Sequence, residues 1–474
     1  LYHDVFTSAL KIRASDVAHI VDSAAPGGRH FTTLQAALQA LTPGKNAIYV
    51  QPGRYDLEGF QPPIWRFPVE IHCANRKTTI LRNGGAWRIG EGGSLYLTNC
   101  SVEDWDAAIF TKLHADSPSN RVDRIEDVLI YGSTFKGLRN VLSTDRQADD
   151  DVVDGVTIVD VRAGDVSSTG SMIMFRFSEG SYIGDINLIG VDCRNIVNTN
   201  PPANRAYSLC LNVLSGGKVR SGYGYNIFDS YGENFVAGTL RGCCPRGGFV
   251  FGSQGHGTQI IHNTVCKDVN KNKDHGCFRT NNIDSEWSDI TAINGGGAGQ
   301  YAGIIEKGND EFDFRGKGYL LRAFAAHEAS YSSPRNSASG AYLIGSWEVY
   351  DSEFRLHGGP WGTRGLFGFC GDPPRWDRTG TFTADGNKIF MGTDGIRGHP
   401  PAAIFLEACV SVSITNNEFH MEHETATPVR HIEMRRYDVL NSNNLIKKGA
   451  GSTAGQCLDE WRGSWEASTK TRCQ

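Results

Sequence analysis

The amino-acid sequence predicts an all-β solenoid, a right-handed parallel β-helix, on three observations. Apolar segments of strand length recur: Gly247–Phe251, Gly276–Arg279 and Gly303–Lys307 begin 29 and 27 residues apart. Each is followed by a second short segment, Thr258–Ile261, Ser288–Thr291 and Glu311–Phe314, with Asn, Asp and Gly in the links. A repeat of that size buries its apolar face only by stacking on the next repeat. Glycine, finally, supplies 56 of 474 residues and is spread from end to end. That is about 12% against a usual ~7%, as a chain of many tight turns requires. Right-handedness follows from the crossover rule for parallel strands.

Composition narrows the function classes. A net charge of −5 on 474 residues gives no basic surface for nucleic acid or an anionic membrane. No apolar run approaches the ~20 residues needed to cross a bilayer. The chain opens on Leu1 without a signal-peptide pattern and without Met, which is consistent with a leader already removed. Twelve cysteines favour an oxidising compartment. Cys457 and Cys473 read as a closing disulfide in the polar tail, whereas the adjacent Cys243 and Cys244 do not bond each other without strain. No Cys-x-x-Cys spacing or His-rich tract points to zinc.

The N-terminal stretch, 1–45, reads as a strand and a cap. His19–Asp22 is a strand, and Phe31–Leu41 is helical with Leu34, Ala37, Leu38 and Leu41 on one face and Thr32 as N-cap. Such a helix would plug the open end of a solenoid. Asn46–Tyr55 then carries Ile-Tyr-Val-Gln-Pro-Gly-Arg-Tyr. This phrase, after this helix, resembles the pectate-lyase-like β-helix superfamily of polysaccharide lyases and glycoside hydrolases. The resemblance covers about 40 residues and implies a fold rather than a reaction.

One domain of coils is expected over 46–448, with a tail at 449–474. Val69–His72, Leu95–Thr98, Asp127–Tyr131 and Gly155–Val159 alternate apolar and polar as half-buried strands do. Met172–Phe177, Gly184–Ile189 and Ser208–Val213 continue the series. Insertions are expected at 216–247, where Tyr223, Tyr225 and Tyr231 offer stacking platforms or a catalytic phenol, at 315–345 and at 356–386, which carries Trp361 and Trp376. Within 315–345 the period lapses, and Leu320–Glu328 reads as a short helix or an overlay on the coil. Strands resume at Ala403–Leu406, Val410–Asn417, His431–Met434 and Val439–Leu445. Ser-Ile-Thr-Asn-Asn-Glu-Phe (413–419) and Val-Leu-Asn-Ser-Asn-Asn (439–444) look like the corner motif of β-helices, in which an Asn bends the chain in the left-handed region.

Candidate chemistry gathers between Gly247 and Asp310. Eliminative cleavage of a uronate polymer needs a cation on the carboxylate, a base for the C5 proton and an acid for the leaving oxygen. Arg279 and Lys307, at near-equivalent positions on successive coils, resemble the Lys/Arg pair of β-helix lyases that act on alginate or chondroitin-type chains. His256 and His275 are candidate bases; Arg176, Asn212, Gln254, Asn281 and Glu306 are candidate sugar-binding groups. Calcium is a compatible ion, with Glu306, Asp310 and Asn281 as oxygen ligands. Gly255-His256-Gly257 followed by Arg279 resembles the pectin-hydrolysing glycosidases in part, but 200–255 holds only Asp229 where that family needs several aspartates. The expected function is a secreted lyase of an acidic extracellular or biofilm polysaccharide. A hydrolase on the same groove, an epimerase and a non-catalytic carbohydrate-binding spike are the alternatives.

Overall fold

The computed structural model describes residues 17–22, 28, 30–105, 107–111, 124–144, 152–170, 172–177, 182–199, 208–213, 224–236, 249–253, 258–269, 276–280, 284–294, 303–307, 317–327, 338–356, 363–372, 377–378, 380–392, 402–407, 409–422, 427–433, 438–448, 457–462 and 468–473. The protein is a right-handed parallel β-helix, and from Pro68 on its coils each contribute one strand to each of three long sheets. One coil runs Gly224–Phe228 on the first sheet, Tyr231–Val236 on the second and Phe249–Ser253 on the third, and the next begins at Thr258–His262. Strands pair in parallel with the same strand one coil on. By compactness the chain divides into two units, Leu1–Val166 with Ile173–Arg194 and Ser167–Met172 with Asn195–Gln474.

The turn from first to second sheet shows how the sequence makes a coil. From Thr98 on it has two residues, and the first has positive φ: Asn99, Gly132, Asp160 and Gly190 in the first unit, and Asp229, Asn263, Asp289, Asp351, Gly386, Asn416 and Asn443 in the second. Gly, Asn and Asp are the residues that enter this region at least cost. Arg322 is the exception, at φ 49°. Its guanidinium holds Asp289, the corner residue one coil earlier, through two hydrogen bonds of 2.6 Å each. That paired contact offsets the strain of a long side chain in a left-handed turn. The Arg322 bond also holds the Asp289 carboxyl below its usual range.

The second corner residue faces inward. In the last coils it is asparagine, and the amides form a ladder. Asn417 Oδ1 accepts from the Asn387 backbone at 3.0 Å and from Asn387 Nδ2 at 2.9 Å. Asn444 Oδ1 does the same for Asn417 at 2.8 and 3.0 Å. Each Nδ2 also donates to a strand carbonyl, Val349, Ala384 or Ile414. In the apolar interior Phe251 lies on its register partner Phe278 at 5.7 Å, and Trp287 meets Trp347, two coils on and out of register, at 5.5 Å. Gly318 is required there, since a Cβ would sit 2.3 Å from the Trp347 ring.

Several expectations change. The strand predicted at Ser288–Thr291 is a corner, flanked by Ser285–Ser288 and Thr291–Ile293. Within 315–345 the described residues keep the period: Lys317–Leu321, Phe324–His327 and Ala338–Ile344 are coil strands, so of the two readings of Leu320–Glu328 its described part is coil and not helix. Neither is 216–247 one insertion, because Gly224–Phe228 and Tyr231–Val236 lie within it. The Phe31–Leu41 helix is only Leu34–Gln39, N-capped by Thr33 rather than Thr32. Leu34, Ala37 and Leu38 are buried against the first strands, but the end-plug role expected of a longer helix is not supported. Disulfides join Cys73 to Cys100, Cys266 to Cys277 and Cys370 to Cys409, and Cys193 and Cys210 are oxidised too. Cys457 lies opposite Cys473 in an antiparallel pair, while a bond between them, like Cys243 and Cys244, lies outside the described residues.

Two outcomes follow. Asn417→Ala leaves two buried Asn387 donors without their acceptor and should cost about 2–4 kcal/mol in urea denaturation. His19, 7% exposed and edge-on to Phe31 at 5.1 Å, has its pKa lowered from 6.5 by burial, with the Lys45 charge adding to this. It favours the neutral imidazole in the fold. Its stabilising contribution is therefore complete above pH 6.5 and is lost as the pH falls through the lowered folded value. His19→Phe should flatten that part of the stability–pH curve measured by thermal unfolding.

Candidate functional site

Four of the predicted site residues, Arg176, Asn212, Arg279 and Glu306, fall on strands of the third sheet at alternate positions to Phe175, Leu211, Phe278 and Ile305. In Ser208–Val213 the flanking Leu211 and Val213 are buried, whereas Asn212 between them is part-exposed. Parallel register places Gly252 beside Asn212, Arg279 beside Gly252 and Glu306 beside Arg279. Phe278 belongs to the interior stack, so strand alternation turns Arg279 to the opposite face. The row continues through Tyr342, Phe367 and Phe405. Arg176 occupies an outward, exposed position in the first unit, in register with Ser143.

Arg279 and Lys307 are not register partners. Arg279 pairs with Glu306, and Lys307 pairs with Thr280. The one-residue difference matters because adjacent strand positions face opposite sides. Glu306 thus shares the Arg279 row and Lys307 the Thr280 row; for both, the backbone alone is described. Gln254, His256, His275, Asn281 and Asp310, together with Trp361 and Trp376, lie outside the described residues. Among the described residues no group of three His, Cys, Asp or Glu is arranged to hold a metal ion.

Arg279 is 6% exposed. The strand that carries it is bonded from beneath. Gln259, fully buried, directs Nε2 at the Arg279 carbonyl at 3.5 Å, while its Oε1 accepts from Trp287 Nε1 at 3.0 Å. Thr280 accepts from Ser285 at 3.4 Å across the turn into the next coil. Cys277, two residues before Arg279, is tied to Cys266 on the second sheet. Gln259 and Ser285 were not singled out from sequence; a polar residue at an inward strand position was the available signal.

The tyrosines of 216–247 divide. Tyr225 is 1% exposed and faces the core, so it is neither stacking platform nor catalytic phenol. Among the described residues its hydroxyl has no hydrogen-bond partner, and burial pushes its pKa far up. Tyr231 is part-buried on the second sheet, donating to Glu233 at 2.9 Å beneath the Lys267 ammonium. Tyr223 lies outside the described residues.

No protein-family model and no curated protein sequence matches the chain. Among solved structures it is similar to the A-module of a mannuronan C-5 epimerase from Azotobacter vinelandii, at 11% identity over 87% of this chain and 94% of that one, with a TM-score of 0.29. It is also similar to an alginate lyase of family PL6, at 9% identity over 93% of this chain and 98% of that one, with a TM-score of 0.19.

Tyr225→Phe removes an unsatisfied buried hydroxyl and keeps the ring. Denaturant midpoints should rise by the equivalent of about 1 kcal/mol, with turnover unchanged. Lost activity with intact folding would return Tyr225 to the site.

Proposed function

We propose that this chain is a secreted enzyme that cleaves an acidic, uronate-containing polysaccharide by β-elimination. The observation that carries this reading is the buried Arg279, on the outward row of a parallel β-helix with Glu306 as its register neighbour. Arginine's planar fork suits a carboxylate, which it binds through two parallel hydrogen bonds. Pairing the substrate carboxylate with Arg279 withdraws charge from the adjacent carbon and makes the C5 proton more acidic. A base removes that proton, the C4–O bond breaks, a C4=C5 double bond forms, and the departing oxygen takes a proton. His256 and His275 are the groups proposed for the proton transfers, since Lys307 falls in the Thr280 row and not in that of Arg279. Arg176, Asn212, Gln254, Asn281 and Glu306 are proposed to bind sugar, with calcium a compatible ion if Glu306 contributes oxygen ligands.

The oxidised cysteines support secretion, because disulfides persist in oxidising compartments. No helix among the described residues is long and apolar enough to cross a membrane.

The test measures ultraviolet absorbance and new reducing ends together on alginate, polygalacturonate and chondroitin. Elimination raises both, and new ends without absorbance would mean hydrolysis. Arg279→Ala should lower kcat about 10²–10³-fold, the size of effect seen when a charge-stabilising donor is lost. Arg279→Lys, which keeps the charge and disturbs the interior less, should recover part of that loss. Circular dichroism separates loss of function from loss of fold, and wild-type turnover in both variants would remove Arg279 from the mechanism.

A further inference from the structure

The first sheet of the second unit carries an outward face of another kind. On three successive coils the strands Ser285–Ser288, Lys317–Leu321 and Ser346–Tyr350 bury Trp287, Leu320, Trp347 and Val349. Strand alternation puts Glu286, Tyr319, Leu321, Glu348 and Tyr350 on the opposite side. Register sets Tyr319 between Glu286 and Glu348 in one row, with Leu321 beside Tyr350 in the next. The Tyr319 ring is 39% exposed. Glu286 is exposed and makes no hydrogen bond or ion pair among the described residues. Glu348 accepts the Tyr350 hydroxyl at 2.7 Å, which pushes the Tyr350 pKa up to about 12. Asp385 follows Tyr350 on the next coil. Among the described residues of these strands Lys317 alone is basic, and Asp284 lies against it, accepting its backbone N–H at 2.9 Å.

We infer that this face is a second carbohydrate site, which takes a chain of amine-bearing sugars laid across the coils along the row of Tyr319. The exposed ring gives the apolar C–H face of a pyranose a surface to stack on, and its π face attracts a neighbouring ammonium group. Glu286 and Glu348 stand two coils apart on either side of that ring, about 9.6 Å at the spacing of strands in a sheet. Each can pair with the ammonium group of a sugar flanking the stacked one. Charge decides the class of ligand: the carboxylates here outnumber the one lysine, so an amine polymer is attracted and a uronate polymer is repelled. The ligand is therefore of opposite charge to the one proposed for Arg279, and the inference does not rest on that reading.

The test is titration calorimetry of the full chain with three hexasaccharides, of glucosamine, of N-acetylglucosamine and of alginate. A pH of about 5.5 keeps the carboxylates ionised and the sugar amines charged. The glucosamine chain should bind most tightly, and more weakly as salt is raised. Tyr319→Ala should weaken that binding about threefold, and Glu286→Gln combined with Glu348→Gln about tenfold. These side chains lie on the surface, so thermal unfolding of the variants should match the wild type. No binding of the glucosamine chain, or wild-type binding in both variants, would overturn the inference. Equal binding of the N-acetylated chain would overturn the assignment to amines, and alginate binding that is lost in Tyr319→Ala would overturn it as well. Arg279→Ala should bind the glucosamine chain as the wild type does, so this site and the proposed lyase site fail separately.

Discussion

A solenoid exists only if every coil comes back to the same place one strand spacing further on, and here that constraint falls on a two-residue corner. Its first residue must enter left-handed space, a conformation most side chains resist. Asn, Asp and Gly meet it at nearly every coil, and Arg322 meets it by locking onto Asp289 of the preceding corner. Once the corner is set, register is set, and with it which residues stack inside and which stand in rows outside. The corner amides extend the hydrogen-bond ladder, as from Asn263 to the Ser288 carbonyl and from Arg322 to that of Tyr350.

Register also converts sequence distance into adjacency. Asn212, Gly252, Arg279 and Glu306 span 95 positions of sequence yet occupy consecutive rungs. A polar group in the core lies behind Arg279, Gln259 bonding the Arg279 carbonyl and Trp287 together. Such groups are expensive inside an apolar stack unless they are bonded. Their position behind Arg279 gives that strand a more rigid footing than apolar packing alone would.

Much of the fold was legible from local chemistry. Met172–Phe177, Ser208–Val213 and Gly303–Lys307 have the bounds their apolar pattern suggested, and Asn416 and Asn443 are left-handed as their residue type suggested. The second-sheet strands were the common omission. Thr134–Lys136, Tyr231–Val236 and Val265–Val269 are short and rich in polar residues, because only part of each faces the core. The same ambiguity concealed the coils inside 216–247 and 315–345. Strands of three to seven residues there carry too little periodicity to stand out from turns.

By itself the sequence determined the solenoid class, the corner chemistry and the identity of Arg279 as a candidate cation. Those depend on local conformational preference and on a repeat whose apolar faces must stack. Only the tertiary structure decided that Arg279 aligns with Glu306 and Lys307 with Thr280, that Tyr225 is core, and that the row of Arg279 runs on through the buried rings of Tyr342, Phe367 and Phe405. Register between strands some 27 residues apart is set by the bonds of the assembled ladder, and a slip of one residue, invisible in composition, exchanges the inner face for the outer.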